Sequence, residues 1–198
     1  MRNPPLILAS TSRYRYQLML RLGLPFTVAA PGVDEAALPG ETPEATALRL
    51  SEAKARAVAG GLAEGLVIGS DQVAECDGEP LGKPGAHEAA LAQLARLSGR
   101  TVTFHTGLAL VNAASGRAQC ELVDVTSTFR TLSPAEIEGY LTRERPYDCA
   151  GSVRAEALGI ALFERIASDD PTALIGLPLI ALARMLRAEG VNPLLVGS

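Results

Sequence analysis

Residues 6–13 read LILASTSR, four apolar residues followed by a polar turn and a basic residue. A short run with no polar member is typical of a strand that is buried on both faces. Ser12 is a suitable N-cap for a helix over residues 13–22, and Gly23 is a suitable stop for it. A strand, a polar turn and a helix in this order predict an α/β fold.

The rest of the chain continues this alternation of strands and helices. Strands are predicted at residues 25–30, 66–69, 101–111, 118–129 and 158–166, and helices at residues 43–58, 87–97 and 177–189. Ser133 and Glu136 form the two ends of a capping box, which predicts a short helix that starts there. The order of elements indicates a mixed α/β protein and is compatible with two lobes around a cleft.

Composition limits the classes of function. The chain has 198 residues, of which 47% are hydrophobic and 20% charged, with a formal net charge of −4. Such a chain buries a core without a disulfide or a metal, and its mild acidity argues against a general nucleic-acid-binding protein. No apolar run is long enough to span a membrane or to form a signal peptide. Three widely spaced cysteines indicate reduced thiols and a cytoplasmic location.

Several basic and hydroxyl residues suit a phosphate ligand. Ser10 lies in the turn before the first helix, where backbone N–H groups and the helix dipole attract anions. Arg15 can add a charged fork from the same helix. Lys54 and Lys83 are the only lysines among 18 basic residues, which favours a need for a compact ammonium at both positions. For the turn with Ser10 and Arg15 the alternative is an ordinary cap with solvated arginines. For the two lysines it is a compositional bias toward arginine that left both of them by chance.

Carboxylates at three places are candidates for chemistry. Glu35 follows the second predicted strand, where Asp34 and Glu35 together suit a magnesium ion. Asp71 follows the apolar run at residues 66–69, the place where α/β sheets hold their ligands, and it can activate water or bind a metal. Glu156 can accept two hydrogen bonds from a base edge. The alternatives are a solvated loop for Glu35, an ordinary turn for Asp71 and a surface carboxylate for Glu156.

Together these segments resemble the Maf family of nucleoside triphosphate pyrophosphatases, in order from about residue 6 to residue 193. The resemblance is carried by LASTS at 8–12, VDE at 33–35, EAKA at 52–55, IGSDQ at 68–72, GKP at 82–84, CAGS at 149–152 and GLP at 176–178. It implies a single domain over residues 1–198. The fold it implies is a mixed, twisted sheet with flanking helices and two lobes around a central cleft, similar to inosine triphosphate pyrophosphatases. It also implies a homodimer.

The resemblance further implies a reaction and roles for residues. The reaction is hydrolysis of a nucleoside triphosphate to the monophosphate and pyrophosphate with a divalent metal, Mg²⁺ or Mn²⁺. Asp71 corresponds to the proposed general base. The expected phosphate-binding residues are Ser10, Arg15, Lys54 and Lys83, and the expected metal ligands are Glu35 and Asp71. The expected partner is the nucleotide, with no nucleic acid and no membrane.

Three positions are similar to the branch of the family that acts on 7-methyl-GTP. These are Tyr14, Gln72 and Glu156, where the branch acting on dTTP and UTP has Arg, Thr and Gln. N7 methylation makes guanine cationic, which favours an aromatic face such as that of Tyr14. An ionised Glu156 can accept from both N1–H and N2–H of guanine.

The first turn departs from the branch, which usually reads Ser-Pro-Trp-Arg-Arg there. Arg13 stands in place of Pro, Tyr14 in place of Trp and Tyr16 in place of the second Arg. The departure at Tyr16 leaves two alternatives for one expected phosphate contact: it is lost, or Arg13 replaces it. The alternative functions are a pyrophosphatase for dTTP, UTP or another modified nucleotide, and a nucleotide-binding, septum-related regulator with little turnover.

Overall fold

A computed structural model describes residues 4–195 of the chain and contains, in that range, seven strands and five α-helices. The strands are β1 (Leu6–Ala9), β2 (Thr27–Ala29), β3 (Leu66–Cys76), β4 (Glu79–Leu81), β5 (Thr101–Asn112), β6 (Ala118–Phe129) and β7 (Phe163–Ala167). The helices are α1 (Arg13–Leu20), α2 (Pro43–Ala59), α3 (His87–Leu97), α4 (Pro134–Glu144) and α5 (Leu179–Ala188). Short 3₁₀ turns lie at Ala150–Ser152, Leu158–Leu162 and Ala173–Ile175.

The strands form one mixed sheet in the order β2-β1-β3-β5-β6-β7, with β4 paired to β3. β1 is parallel to both of its neighbours, β2 and β3. β4 and β7 run antiparallel to β3 and β6. The predicted α/β fold with a mixed sheet is therefore confirmed.

The chain divides into two compact units. The first unit contains the described residues up to Gln72, then Thr106–Val123, then those from Asp170 onward. The second unit contains Val73–His105 and Asp124–Asp169. β3, β5 and β6 each contribute residues to both units.

Helix α2 packs on the first unit's sheet at two glycines. A Cβ added to Gly69 of β3 would lie 2.1 Å from the carbonyl oxygen of Ser51, and one added to Gly107 of β5 would lie 2.3 Å from that of Ala47. Such distances leave no room for any side chain, so the helix backbone touches the strands directly. Around this contact lies a cluster of small and β-branched residues: Ile7, Ala9, Ala55, Ala59, Val67, Ala109 and Val111. The close packing brings the polar side chains of α2 against β3.

In the second unit, helices α3 and α4 pack against each other. Ser133 and Glu136 form the predicted capping box, and α4 begins at Pro134 as that motif requires. Phe129 and Phe163 stack edge to face with ring centroids 4.7 Å apart and join the ends of β6 and β7. The predicted boundaries of α3 and β6 match the structure.

The predicted end of the third strand at residue 69 is wrong, because β3 continues to Cys76. Polar residues can enter this buried strand because their hydrogen bonds are made inside the first unit. Ser70 Oγ lies 2.7 Å from the carbonyl oxygen of Gly107, and the Asp71 N–H donates to Ser51 Oγ over 2.9 Å. Asp71 therefore lies within a strand and not in a turn.

The predicted strand at residues 158–166 is correct only in its second half. Leu158–Leu162 forms a 3₁₀ turn, and β7 begins at Phe163. Gly159 lies so close to Arg154 that a Cβ there would be 2.4 Å from the Arg154 carbonyl oxygen, which folds the segment back on itself. The last helix also starts later than predicted, at Leu179, after Pro178. None of the helices in the described part of the chain is both long enough and apolar enough to cross a membrane.

Candidate active site

Lys54 lies between two carboxylates of the first unit. Its Nζ is 2.6 Å from Asp71 Oδ1 and 2.6 Å from Glu35 Oε1. Lys54 and Asp71 are buried, whereas Glu35 lies in an exposed segment before α2. A compact ammonium therefore joins a carboxylate fixed on a strand to one carried by a loop, and the three groups together carry one negative charge.

Asp71 is fixed through both its backbone and its side chain. Strand alternation places Asp71 and Gly69 on the face of β3 that meets α2. The Asp71 N–H donates to Ser51 Oγ, which in turn donates to the Ala47 carbonyl oxygen over 2.6 Å. Asp71 Oδ2 has no hydrogen-bond partner among the residues that the structure describes. One carboxylate oxygen is thus held by Lys54, and the other can accept a hydrogen bond from water.

The turn before α1 is ordered by its own hydroxyl groups. Ser10 is buried, and its Oγ accepts from the Ser12 N–H over 3.1 Å. Ser12 is the N-cap of α1, and its Oγ accepts from the Arg15 N–H over 3.4 Å. The predicted cap is therefore confirmed, and it orients the first turn of the helix that carries Arg15.

Arg15 extends from α1 toward the same acidic pair. Its Nε donates to the carbonyl oxygen of Gly176 over 2.8 Å. Burial lowers the pKa of Arg15 below its ordinary value, while the negative charges of Asp71 and Glu35 raise it. The negative charges that Lys54 pairs with therefore act on Arg15 as well.

Gln72 points to the opposite face of β3 from Asp71. Its Nε2 lies 2.9 Å from Thr106 Oγ1, 2.9 Å from the Ala173 carbonyl oxygen and 3.2 Å from that of Leu174. An amide has two N–H donors, so these acceptors use all of its donor capacity. Oε1 of Gln72, an acceptor, makes no hydrogen bond with any residue that the structure describes.

Tyr14 already carries a cation on one face of its ring. The guanidinium carbon of Arg13 lies 4.7 Å from the ring centroid, and Arg13 Nη2 donates to Tyr14 Oη over 2.6 Å. The departure from the branch at residue 13 therefore changes the surroundings of the predicted aromatic face.

Lys83 and Glu156 belong to the second unit. Lys83 is exposed in the loop after β4, which is held by a hydrogen bond from the Gly85 N–H to the Tyr147 carbonyl oxygen (3.0 Å). Glu156 is exposed in a turn that follows the 3₁₀ segment Ala150–Ser152. The structure thus gathers Arg15, Glu35, Lys54 and Asp71 in the first unit, with Ser10, Tyr14 and Gln72 on its neighbouring elements.

Sequence reasoning missed the residues that hold this site together. Ser51 lies three residues before Lys54 on α2, and this spacing on one helix face was the available signal. Ser70 and Thr106 gave no signal, because their partners are backbone carbonyls more than thirty residues away in the chain.

The donor set fits a divalent metal. One oxygen of Glu35 and one of Asp71 converge on the Lys54 ammonium, so two hard carboxylate ligands already lie around a single positive charge. Carboxylate oxygens from one or two side chains, completed by phosphate oxygens and water, are the set that Mg²⁺ takes in nucleotide sites.

The chain matches a known protein family and known relatives over nearly its whole length. The model of the family described as Maf-like protein matches residues 5–189. The chain is 60% identical over 192 residues to the 7-methyl-GTP pyrophosphatase of Paraburkholderia xenovorans, covering 96% of this chain and 94% of that protein. It is 58% identical over 192 residues to the 7-methyl-GTP pyrophosphatase of Thiobacillus denitrificans, covering 97% and 96%.

Among solved structures, the chain is similar to the Staphylococcus aureus Ham1 protein. The sequence identity is 20% and the TM-score is 0.43, over 64% of this chain and 72% of that chain. This likeness is too distant to bear on the fold or the site.

Proposed function

The chain belongs to the Maf family, and from that premise we propose that it hydrolyses 7-methyl-GTP to the nucleoside monophosphate and pyrophosphate. Two near full-length relatives at about the same identity carry the name 7-methyl-GTP pyrophosphatase, which supports both the reaction and the substrate. The observation that carries the proposal is the buried Lys54 ammonium held between Asp71 and Glu35, with the charge of both carboxylates acting on Arg15 as well.

Asp71 acts as the general base in this proposal. Its Oδ2 accepts a hydrogen bond from water while Lys54 and Ser51 keep the side chain and the backbone in place. The water oxygen attacks the α-phosphorus, the bond to the bridging oxygen breaks, and that electron pair leaves on pyrophosphate. The proton of the water passes to Asp71. Phosphoryl chemistry of this kind needs positioning and charge stabilisation above all.

The substrate's phosphate charges are met by the basic residues. Arg15 and Lys54 lie at the site in the first unit, Ser10 orders the turn before α1, and Lys83 is proposed as a further phosphate ligand. Glu35 and Asp71 would hold a divalent metal, Mg²⁺ or Mn²⁺. When bound, such an ion supplies positive charge to the phosphate oxygens.

Base recognition is assigned to Tyr14, Gln72 and Glu156. The cationic 7-methylguanine stacks on the Tyr14 ring, and Glu156 accepts from the N1–H and N2–H donors. Gln72 can offer the base only its Oε1, because its amino group is bonded to Thr106 and to the turn at Ala173. A preference for dTTP or UTP is the alternative within the same chemistry.

We also propose that residues 1–198 form a single domain that works as a cytoplasmic homodimer. Three strands that contribute to both units support one domain. The dimer rests on resemblance to the family, and the location rests on the sparse cysteines. Nucleic acid and membranes are not among the proposed partners.

The test is pyrophosphate release with Mg²⁺ across 7-methyl-GTP, GTP, dTTP, UTP and CTP. We expect turnover of 7-methyl-GTP above the others and a kcat lower by about 10²- to 10⁴-fold in Asp71→Asn. Asp77→Asn is the matched control, because Asp77 is an exposed aspartate in the β3–β4 turn. Preference for dTTP or UTP would contradict the base assignment. Tight nucleotide binding without release from any substrate would favour a septum-related binding protein.

A further inference from the structure

The carbonyl oxygen of Gly176 accepts from two side chains of the first unit. Arg15 Nε lies 2.8 Å from it and Ser70 Oγ lies 2.9 Å from it, and the single O–H proton of Ser70 is shared between this carbonyl and that of Gly107. Ser70 is fully buried on β3, directly before Asp71, and its Oγ is also 2.7 Å from the Gly107 carbonyl oxygen. One buried hydroxyl therefore connects the middle of the sheet to the acceptor that holds Arg15.

The backbone at Gly176 is shaped for this contact. Its φ of 111° is in the region that favours glycine, and its N–H bonds to the Ala173 carbonyl oxygen over 2.8 Å. A Cβ at Gly176 would lie 3.6 Å from Arg15 Nε and 3.8 Å from Nη2, so the guanidinium rests against the bare backbone.

The same turn is held at its other end by the sheet. Thr106 Oγ1 donates to the Ala173 carbonyl oxygen over 3.0 Å, and Gln72 Nε2 donates to the carbonyls of Ala173 and Leu174. The carbonyl that receives Arg15 is thus part of a turn attached to β3 and β5 at both ends. Its direction is set by hydrogen bonds from the sheet together with the turn's own bond from the Gly176 N–H to the Ala173 carbonyl oxygen.

Arg15 is anchored by one nitrogen only. Across the described residues its terminal nitrogens, Nη1 and Nη2, make no hydrogen bond, while Nε is engaged by Gly176. A guanidinium held in this way keeps the donors that form the paired fork with a phosphate. An arginine whose rotamer is fixed before binding loses less conformational freedom when the phosphate arrives.

We propose that Ser70 is a positioning residue for Arg15, and that it acts through the Gly176 carbonyl to keep the Arg15 fork in place for the phosphate chain of the substrate. This proposal rests on the proposed function, since it takes a phosphate chain as the ligand. Ser70 itself touches no substrate. Its effect therefore exists only while Arg15 is an arginine.

The test measures binding of inorganic pyrophosphate to the full-length chain by calorimetry. The variants are Ser70→Ala, Arg15→Lys and the double variant, because lysine keeps the charge and lacks the Nε anchor. We expect Ser70→Ala to weaken pyrophosphate binding about tenfold. In the Arg15→Lys background the same change should have less than about a twofold effect, which is the non-additivity of coupled residues. A merely structural hydroxyl would weaken both backgrounds equally.

Two further variants distinguish a loss of pyrophosphate binding from a loss of folding. Ser127→Ala removes a fully buried serine hydroxyl of β6 whose Oγ has no hydrogen-bond partner within the described range, and it should bind pyrophosphate like the unmodified chain. Ser70→Cys replaces the hydroxyl by a somewhat larger group that is a weaker donor, and it should show an intermediate loss. Thermal unfolding of each variant reports on folding.

Three results would overturn the proposal: unchanged pyrophosphate affinity in Ser70→Ala, equal losses in both Arg15 backgrounds, or no pyrophosphate binding by the unmodified chain. The coupling between Ser70 and Arg15 can be present even if no nucleotide is hydrolysed. In that case the proposed function fails and the positioning role stands.

Discussion

At the scale of single residues, Gln72 shows how one amide can serve the fold and the ligand at the same time. Its amino group is bonded to Thr106 Oγ1 and to two carbonyls of the turn that begins at Ala173, so only its carbonyl oxygen remains to accept a hydrogen bond from a ligand. Any influence of Gln72 on base choice therefore acts through one acceptor and through the position of that turn. A glutamate has the same shape and no amino group.

We predict that Gln72→Glu is both less stable and less selective among bases. The new carboxylate would face two carbonyl oxygens without a proton to donate, which costs about 1–3 kcal/mol in the free energy of unfolding. Urea unfolding followed by circular dichroism measures the stability, and kcat/KM for 7-methyl-GTP against GTP measures selectivity. Thr106→Ser, which keeps the hydroxyl at the other end of this contact, is the control and should change neither by much. An unchanged stability of Gln72→Glu would mean that the amino group is not needed by the turn.

At the scale of elements, the contact of α2 with β3 and β5 positions the site. Gly69 and Gly107 let the helix backbone approach the strands, and Ser51 then reaches the Asp71 N–H while Lys54 reaches its carboxylate. A helix held farther from the sheet by ordinary side chains would leave both bonds too long. Glycine is used here for close approach and not for turning.

We predict that Gly107→Ala is destabilised by about 3 kcal/mol or more and loses activity. The added methyl group would meet the Ala47 carbonyl and the Ser51 hydroxyl, so α2 must move away from β5. Gly139→Ala in α4 is the matched control, because an added Cβ there meets nothing within 4 Å. That control should gain up to about 1 kcal/mol from helix propensity. Equal stability of the two variants, measured by thermal unfolding, would contradict the close packing.

At the scale of the whole molecule, each unit contains a carboxyl group that strongly prefers to be ionised. In the first unit, hydrogen bonds from Arg49 and from the Leu38 N–H lower the pKa of Glu41 to about 2. In the second unit, hydrogen bonds from the backbone and the hydroxyl of Ser133 lower the pKa of Glu136 to about 2. Both values lie below the ordinary 4.5, so folding favours the ionised form of each group.

The lowered pKa values of Glu41 and Glu136 predict how the free energy of unfolding falls at acid pH. A carboxyl whose pKa is lowered by folding stabilises the native state above pH 4.5, and that contribution is lost as the pH falls through about 2. The double variant Glu41→Gln/Glu136→Gln should be less stable than the unmodified chain at pH 6, and the gap should close between pH 4 and pH 2, within the window these pKa values set. The gap is measured as the difference between the urea concentrations at the unfolding midpoints of the two proteins, at each pH. Glu64→Gln, in an exposed loop, is the control, and a gap that stays constant with pH would contradict the assignment.

Local signals predicted most of the fold. Caps at Ser12 and Ser133 and the apolar runs of the strands indicated the right elements, because these signals act over a few neighbouring residues. The continuation of β3 past residue 69 could not be read locally, since it depends on acceptors and donors supplied by Gly107 and Ser51. The 3₁₀ turn at Leu158–Leu162 likewise depends on the nearby backbone of Arg154.

The candidate site was predictable as a set of residues and not as an arrangement. Lys54 and Asp71 stood out by residue type and by resemblance, and the structure brings them into contact with Glu35. Nothing in the sequence indicated that the Gln72 amino group would donate hydrogen bonds to the turn at Ala173. Nor did it indicate that Ser70 and Arg15 would both bond to the Gly176 carbonyl oxygen. Such contacts join residues about a hundred positions or more apart, and only tertiary structure specifies them.

The direct packing of α2 on the sheet also determines how often each part of the site opens to solvent. Amide hydrogens in the strands and helices that pack most closely exchange with solvent slowly, while loops with few buried contacts open often. Asp71 and Lys54 belong to the first class, and Glu35, in the exposed segment before α2, belongs to the second. The buried Lys54–Asp71 pair therefore stays closed to solvent far longer than the exposed segment that carries Glu35.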